Sequence, residues 1–210
     1  MIYRIFIILF ITCLQTIVNP AAAANESPTQ IIEQLQGGIL AVDLKFSVAA
    51  RDISTFDNRV TALRPLIEST HDLGYMARMT IRSHWNTLDD DQREQFISAF
   101  GELSIATYAS RFRDLAKVTF RTVNKRQMPH DRVEIQTDLI EDNADSVALN
   151  YLLHETAGGW RIINVLADGV SELALKRTQY QQILNTQDFA ALVRHLQQQR
   201  ADLAGDELAG

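Results

Sequence analysis

The sequence predicts an α+β fold in which helices cover one face of a curved, four-stranded antiparallel sheet. Three observations carry that expectation. Apolar residues recur at the helical period from Pro28 to about Leu115, the period falls to two after Ala116, and helical spacing returns from Glu172. The order is therefore four helices, four strands and two helices, the pattern of a segregated α+β domain and an NTF2/cystatin-like arrangement.

The first helix is expected from Pro28 to about Val48, with Ile31, Ile32, Leu35, Ile39 and Val42 on one face. Ser27 is its N-cap and Pro28 its first helical residue, where a missing N–H costs nothing. Gly37-Gly38 offers a point of bending. A second helix, about Ser54 to Glu68, carries Phe56, Val60, Leu63 and Ile67, and Pro65 should kink or end it. A third runs from Asp72 to about Ser83. The longest follows Asp89 to Asp91, where Asp89 and Gln92 form a capping box, and Phe96, Phe100, Leu103, Ile105, Tyr108 and Phe112 descend to about Leu115. The three aspartates lack the alternating ligands and glycine of a calcium loop, so they read as helix N-terminal charge.

Val118 and Phe120 open the first strand. Val133, Ile135, Thr137 and Leu139 alternate with Glu134, Gln136 and Asp138 in the second. Val147, Leu149, Tyr151 and Leu153 make the third, and Trp160, Ile162, Ile163 and Val165 the fourth. The links are Asn124 to His130 with Pro129, then Glu141 to Asp145, then Ala157-Gly158-Gly159, short enough for a meander. Helices about Glu172 to Leu184 and Asp188 to Gln199 close the chain, and residues 201–210, small and acidic, are expected to fray.

Residues 1–24 read as a secretory signal. Arg4 precedes an apolar run from Ile5 to Leu14, Gln15 to Pro20 breaks it, and Ala21 to Ala24 supply a cleavage site. The run is shorter than the roughly 20 residues that span a bilayer. Cys13, the one cysteine, lies inside that run, so export would leave a thiol-free domain over 25–200 that stands on its core rather than on disulfides. Losing Arg4 moves the formal charge from −6 to −7, which argues against nucleic acid as a partner while allowing transient membrane proximity.

Chemistry-bearing patterns are sparse. His71, His84, His130, His154 and His195 have no metal-ligand spacing, and no phosphate-binding glycine pattern occurs, so neither metal nor cofactor is expected. Gly169-Val170-Ser171 suggests a serine nucleophile, but Leu173 stands where that motif needs its second glycine, and a turn with Ser171 as N-cap explains the stretch better. Tyr108, Tyr151 and Asp138 are the residues a proton-transferring cavity enzyme would use, yet Asp138 falls on the polar face of its strand. The apolar face of the sheet is either an ordinary core or the wall of an internal apolar cavity, and composition does not separate the two. A cavity would be lined by Tyr108, Phe112, Val133, Ile135, Leu139, Leu149, Tyr151 and Leu153.

Gly159-Trp160-Arg161-Ile162-Ile163-Asn164-Val165 followed by Asp168-Gly169-Val170-Ser171 resembles the signature of the MlaC or toluene-tolerance family of periplasmic phospholipid-binding proteins. Trp85, Gln92-Arg93, Phe96 and Thr107-Tyr108-Ala109 match in the same order, and "LSIATYASRF" at 103–112 and "SELALKRTQY" at 171–180 are similar to the hopanoid-associated HpnM branch. The family usually carries an asparagine, an aromatic and an arginine after the corner. This chain has Ala174-Leu175-Lys176-Arg177 there, so only Arg177 is carried over. The resemblance implies a non-enzymatic periplasmic carrier that holds a phospholipid or hopanoid and exchanges it with membrane-bound lipid transporter components. It makes Trp160, Asp168, Gly169, Ser171 and Arg177 the motif corner, with a mostly structural role: Gly169 allows the tight turn and Ser171 starts the helix, while Arg177 reads first as part of a solvated helix face and second as a contact for a head group or partner.

Overall fold

The computed structural model describes residues 26–47, 56–142 and 145–208. The expected signal segment and the start of the second helix lie outside these residues.

Helix α1 (Pro28–Ser47) begins with reciprocal bonds: the Gln30 N–H donates to Ser27 Oγ at 3.3 Å and the Ser27 N–H to Gln30 Oε1 at 2.8 Å. The helix runs through Gly37-Gly38, and Gly38 serves packing rather than bending. A Cβ there would lie 2.5 Å from Leu66 Cδ2, so the bare backbone lets α2 approach closely. Helix α2 (Phe56–Thr70) contains Pro65 and does not end at it. The buried Leu63 and Ile67 on its core face bind the segment tightly enough to outweigh the roughly 3 kcal/mol cost of an internal proline.

Helix α3 (Leu73–Thr80) starts at Asp72, whose Oδ1 accepts from the Tyr75 N–H at 2.8 Å, and it ends before the expected Ser83. A 3₁₀ turn, Trp85–Thr87, fills the gap. Helix α4 (Asp90–Arg111) carries the predicted Asp89/Gln92 capping box but stops short of Leu115. The chain turns there because both oxygens of the buried Asp43 carboxylate accept, at 2.9 Å each, from the N–H groups of Asp114 and Leu115.

The sheet is an antiparallel meander, β1 (Val118–Met128), β2 (Arg132–Glu141), β3 (Val147–Thr156), β4 (Gly159–Ala167) and β5 (Val170–Ser171), in that spatial order. It has five strands where four were expected. The fifth is the motif corner itself: Asp168 and Gly169, with φ of 48° and 80°, form a two-residue turn that returns β5 onto β4. Strand β1 also extends through Asn124 to Met128, which had read as a link. A bulge between Thr122 and Asn124 shifts the register there, leaving Val123 exposed and erasing the alternation on which sequence reading relies.

Ion pairs and hydrogen bonds cover the outer face, including Arg121 with Asp138 at 2.7 Å and Arg126 with Glu134 at 3.1 Å. The free side of β4 is closed by β5 and by the α2–α3 link, whose Asp72 N–H donates to the Ile162 carbonyl at 2.9 Å. The inner face packs under α1, α2 and part of α4 in one apolar core containing Ile32, Leu35, Ile67, Ile135, Leu153 and Ile162. A second core, with Phe96, Phe100, Leu173, Tyr180, Leu192 and Leu196, joins α3 and α4 to α5 (Glu172–Thr186) and α6 (Phe189–Leu208). Helix α6 runs well past the expected end at Gln199, as far as Leu208 within the segment assigned to a frayed tail.

Candidate functional site

A cavity of about 260 Å³ opens between the inner face of the sheet and the helices. Register explains its sheet wall. Leu139 faces Val147, Leu149 faces Ala167, and Tyr151 faces Val165, so all six side chains stand on one face and line the cavity. Helix α4 supplies Phe100, Ser104, Thr107 and Tyr108, and Phe112 follows as its C-cap; His71 and Met76 close the α3 side; Leu173 and Lys176 of α5 close the other. The Tyr108 and Phe112 rings stack with centroids 5.4 Å apart, and Phe120 continues the aromatic run 6.4 Å from Phe112.

Of the expected lining residues, Tyr108, Phe112, Leu139, Leu149 and Tyr151 border the cavity. Val133, Ile135 and Leu153 do not. They share the face but sit at the other end of β2 and β3, buried in the core that includes α1 and α2. The strands are long enough to serve two layers, and period-two alternation assigns a face without saying what covers each part of it.

A polar stretch of the inner wall is internally satisfied. Tyr108 Oη lies 2.9 Å from His71 Nε2, His71 Nδ1 lies 3.0 Å from Thr70 Oγ1, and Thr70 Oγ1 donates to the Leu66 carbonyl at 2.7 Å. Because the threonine proton is committed to that carbonyl, the chain closes when His71 donates from Nδ1 and Tyr108 donates to Nε2. Burial lowers the His71 pKa to about 4, so the ring is neutral at pH 7. Burial also raises Tyr108 well above its ordinary value and Tyr151 to about 12. Neither phenol supplies a base, and Asp138 is on the opposite face of the sheet with Arg121, so the proton-transfer trio is not assembled.

Charge enters at the rim. Arg111, at the end of α4, pairs with Glu172, at the start of α5, at 2.5 Å, and Lys176 lies one helical turn farther on. Sequence reading missed all three, as well as His71 and Met76. Arg111 and Glu172 are 61 positions apart, and no local pattern announces their meeting.

The motif corner positions α5 instead of lining the cavity. The Asp168 N–H donates to the Ala148 carbonyl at 2.8 Å, and Asp168 Oδ1 accepts from the Ala148 N–H at 2.9 Å, which fixes the turn to β3. Ser171 Oγ accepts from the Ala174 N–H at 3.1 Å as N-cap and donates to Asn164 Oδ1 at 3.0 Å. Trp160 packs against the main core. Arg177 Nε donates to the Met79 carbonyl at 3.0 Å, so this side chain, read from the sequence as solvated before it was read as a head-group contact, ties α5 to the end of α3. Among the described residues no group of His, Cys, Asp and Glu is arranged to hold a metal ion, and no helix is long and apolar enough to cross a membrane.

Comparison with known proteins adds three findings. The family model described as MlaC protein matches residues 45–198. The intermembrane phospholipid transport system binding protein MlaC of Haemophilus influenzae is 23% identical over 201 residues, covering 92% of this chain and 91% of its own. A phospholipid-binding protein from Ralstonia solanacearum, solved in complex with a phospholipid, superposes with a TM-score of 0.73 at 18% identity, covering 85% of this chain and 99% of its own.

Proposed function

The chain belongs to the MlaC protein family, and from that premise we propose that it is a lipid carrier of the periplasm, exported by cleavage after Ala24, which holds acyl chains in the cavity between β2–β4 and α4–α5. It is not an enzyme: its relatives are binding and transport proteins, and nothing in the carrier's task makes or breaks a bond. The observation that carries the reading is the cavity itself, walled by Phe112, Leu139, Val147, Leu149, Val165 and Ala167.

The physical need is large. A 16-carbon chain in water costs roughly 12 kcal/mol at about 0.8 kcal/mol per methylene, so crossing an aqueous space requires an enclosing protein. Phospholipid is the ligand the relatives support, since the Haemophilus protein is named for phospholipid transport and the Ralstonia protein was solved with a phospholipid. A hopanoid is the second ligand class, supported by the similarity of residues 103–112 and 171–180 to the HpnM branch. Membrane-bound transporter components are the partners with which the lipid is exchanged, by analogy with the transport system of the Haemophilus relative.

Leu149→Asp tests the reading. Leu149 borders the cavity, where a carboxylate can hydrate in the empty protein but meets acyl chain in the loaded one. Wild type should move a fluorescent phospholipid from donor to acceptor vesicles at a rate proportional to protein concentration, and Leu149→Asp should lose at least tenfold of that rate while melting as a folded protein. Equal transfer by both would overturn the reading, as would no transfer by the wild type.

A further inference from the structure

His71 stands between two spaces. On its inner side it borders the chamber of about 260 Å³, and on its outer side an open groove of about 360 Å³ lined by Glu68, Asp72, Leu73, Thr156 and Arg161. No other described residue borders both. Strand β4 fixes which end of the chamber this is. Ala167 and Val165 line the wall, and Ala167 leads into the corner at the rim. The α2–α3 link docks farther back, where His71 bridges Ile162 and the Asp72 N–H donates to the Ile162 carbonyl at 2.9 Å. The imidazole is therefore the back wall, one side chain thick.

That wall is pinned. Its Nδ1 meets Thr70 Oγ1 at 3.0 Å, its Nε2 meets Tyr108 Oη at 2.9 Å, and its backbone N–H donates to the Ile67 carbonyl at 3.0 Å. The Tyr108 ring stands edge-on to it, with centroids 5.3 Å apart and planes at 74°. Beside it, the Asp72 carboxylate is held by the Tyr75 N–H and by His154 Nε2, the latter at 2.9 Å. Displacing the ring would break two hydrogen bonds at a residue only 4% exposed, where water has little room to replace them. That loss outweighs the gain from burying one further methylene.

We propose that His71 sets the length of hydrocarbon that the chamber admits, as an end stop between the apolar interior and the polar groove behind it. This rests on the reading of the cavity as a lipid pocket and adds a specificity-determining residue to it. Each methylene that enters should tighten binding about fourfold, at roughly 0.8 kcal/mol apiece, until the chain meets the ring. Carbons beyond that length stay outside and add nothing.

The test uses the full chain freed of lipid by mild organic extraction and a series of lysophosphatidylglycerols with one saturated chain of ten to twenty carbons, each below its aggregation threshold. Affinities are read by displacement of a fluorescent acyl probe, and the quantity compared is the chain length at which affinity stops rising. Wild type should level off within the series. His71→Ala, which opens the wall into the groove, should level off two or more methylenes later. His71→Gln, which refills the space and can still accept from Tyr108, should return to the wild-type length. Thermal melts establish that each variant is folded; if His71→Ala is not, Tyr108→Phe, which leaves the ring but releases one of its bonds, takes its place and should also level off later. A levelling point shared by wild type and the opened variant overturns the proposal and leaves the carrier reading standing, as does a wild type that never levels off or a His71→Gln shift as large as that of His71→Ala. Failure of the whole series to bind wild type overturns the carrier reading and this proposal with it.

Discussion

Four atoms decide how an apolar cavity tolerates a polar wall. Tyr108 Oη, His71 Nε2, His71 Nδ1 and Thr70 Oγ1 form a chain that ends on the Leu66 carbonyl, and each donor has one acceptor only if the His71 ring is neutral. This gives a pH dependence of defined sign. The folded-state pKa of His71 is lowered from 6.5 to about 4, so between those values the unfolded chain binds a proton that the folded protein refuses. The stability due to this site is complete above pH 6.5 and is lost as pH falls towards 4, a swing on the order of 3 kcal/mol. Thermal melts of wild type and His71→Asn across that interval should converge as the pH falls, because the variant lacks the titrating ring while sharing every carboxylate. Parallel curves with a constant offset would show that His71 does not titrate in this window. None of this was legible in the sequence: His71 stood in a link, Tyr108 on a helix face, and their meeting depends on how the α2–α3 link docks on β4.

At the scale of elements, the turn between β4 and α5 governs the cavity without touching it. Asp168-Gly169 reverses the chain, Ser171 caps α5, and α5 then presents Glu172, Leu173 and Lys176 at the cavity. Gly169 has φ of 80° with open space around a built Cβ, so Gly169→Ala should cost about 1 kcal/mol from backbone strain alone. Ser171→Ala removes the N-cap acceptor and should also cost about 1 kcal/mol. Urea midpoints should fall in both variants, with unchanged slopes; a midpoint equal to wild type in either one would show that the corner does not hold α5. The corner's chemistry was readable, since Asp-Gly marks a tight turn and serine followed by an acidic residue marks a helix start. Its product was not, because β5 has two residues and borrows its pairing from β4, and strands that short leave no periodicity. The bulge at Val123 hid half of β1 for a related reason: it moves the side chains to the other face just where alternation is being counted. The long regular segments, α1, α4, β2 and β3, were recovered because each repeats its pattern over many residues.

At the scale of the whole molecule, the architecture divides its apolar residues into two cores and a chamber. The core under α1 and α2 takes Val133, Ile135 and Leu153, the helical core takes Phe96, Tyr180 and Leu192, and the cavity lies where the two meet, lined by Leu149 and Tyr151 from the first and by Phe100 and Leu173 from the second. The sequence identified which face of each strand is apolar, and its family resemblance pointed to a carrier, but the partition itself depends on helix placement over distances in sequence that no local pattern spans. Charge follows the same logic: the chain is acidic, with a formal charge of −6, while the rim of the cavity holds an excess cation. The most direct test of the central claim is mass spectrometry of lipid extracted from the protein purified from its native host without detergent. The account predicts acyl lipid recovered in near-stoichiometric amount from wild type and little from Leu149→Asp of equal fold. A wild-type protein that is folded, monodisperse and free of lipid, together with a Leu149→Asp variant that unfolds, would show the chamber to be ordinary core and would contradict the account.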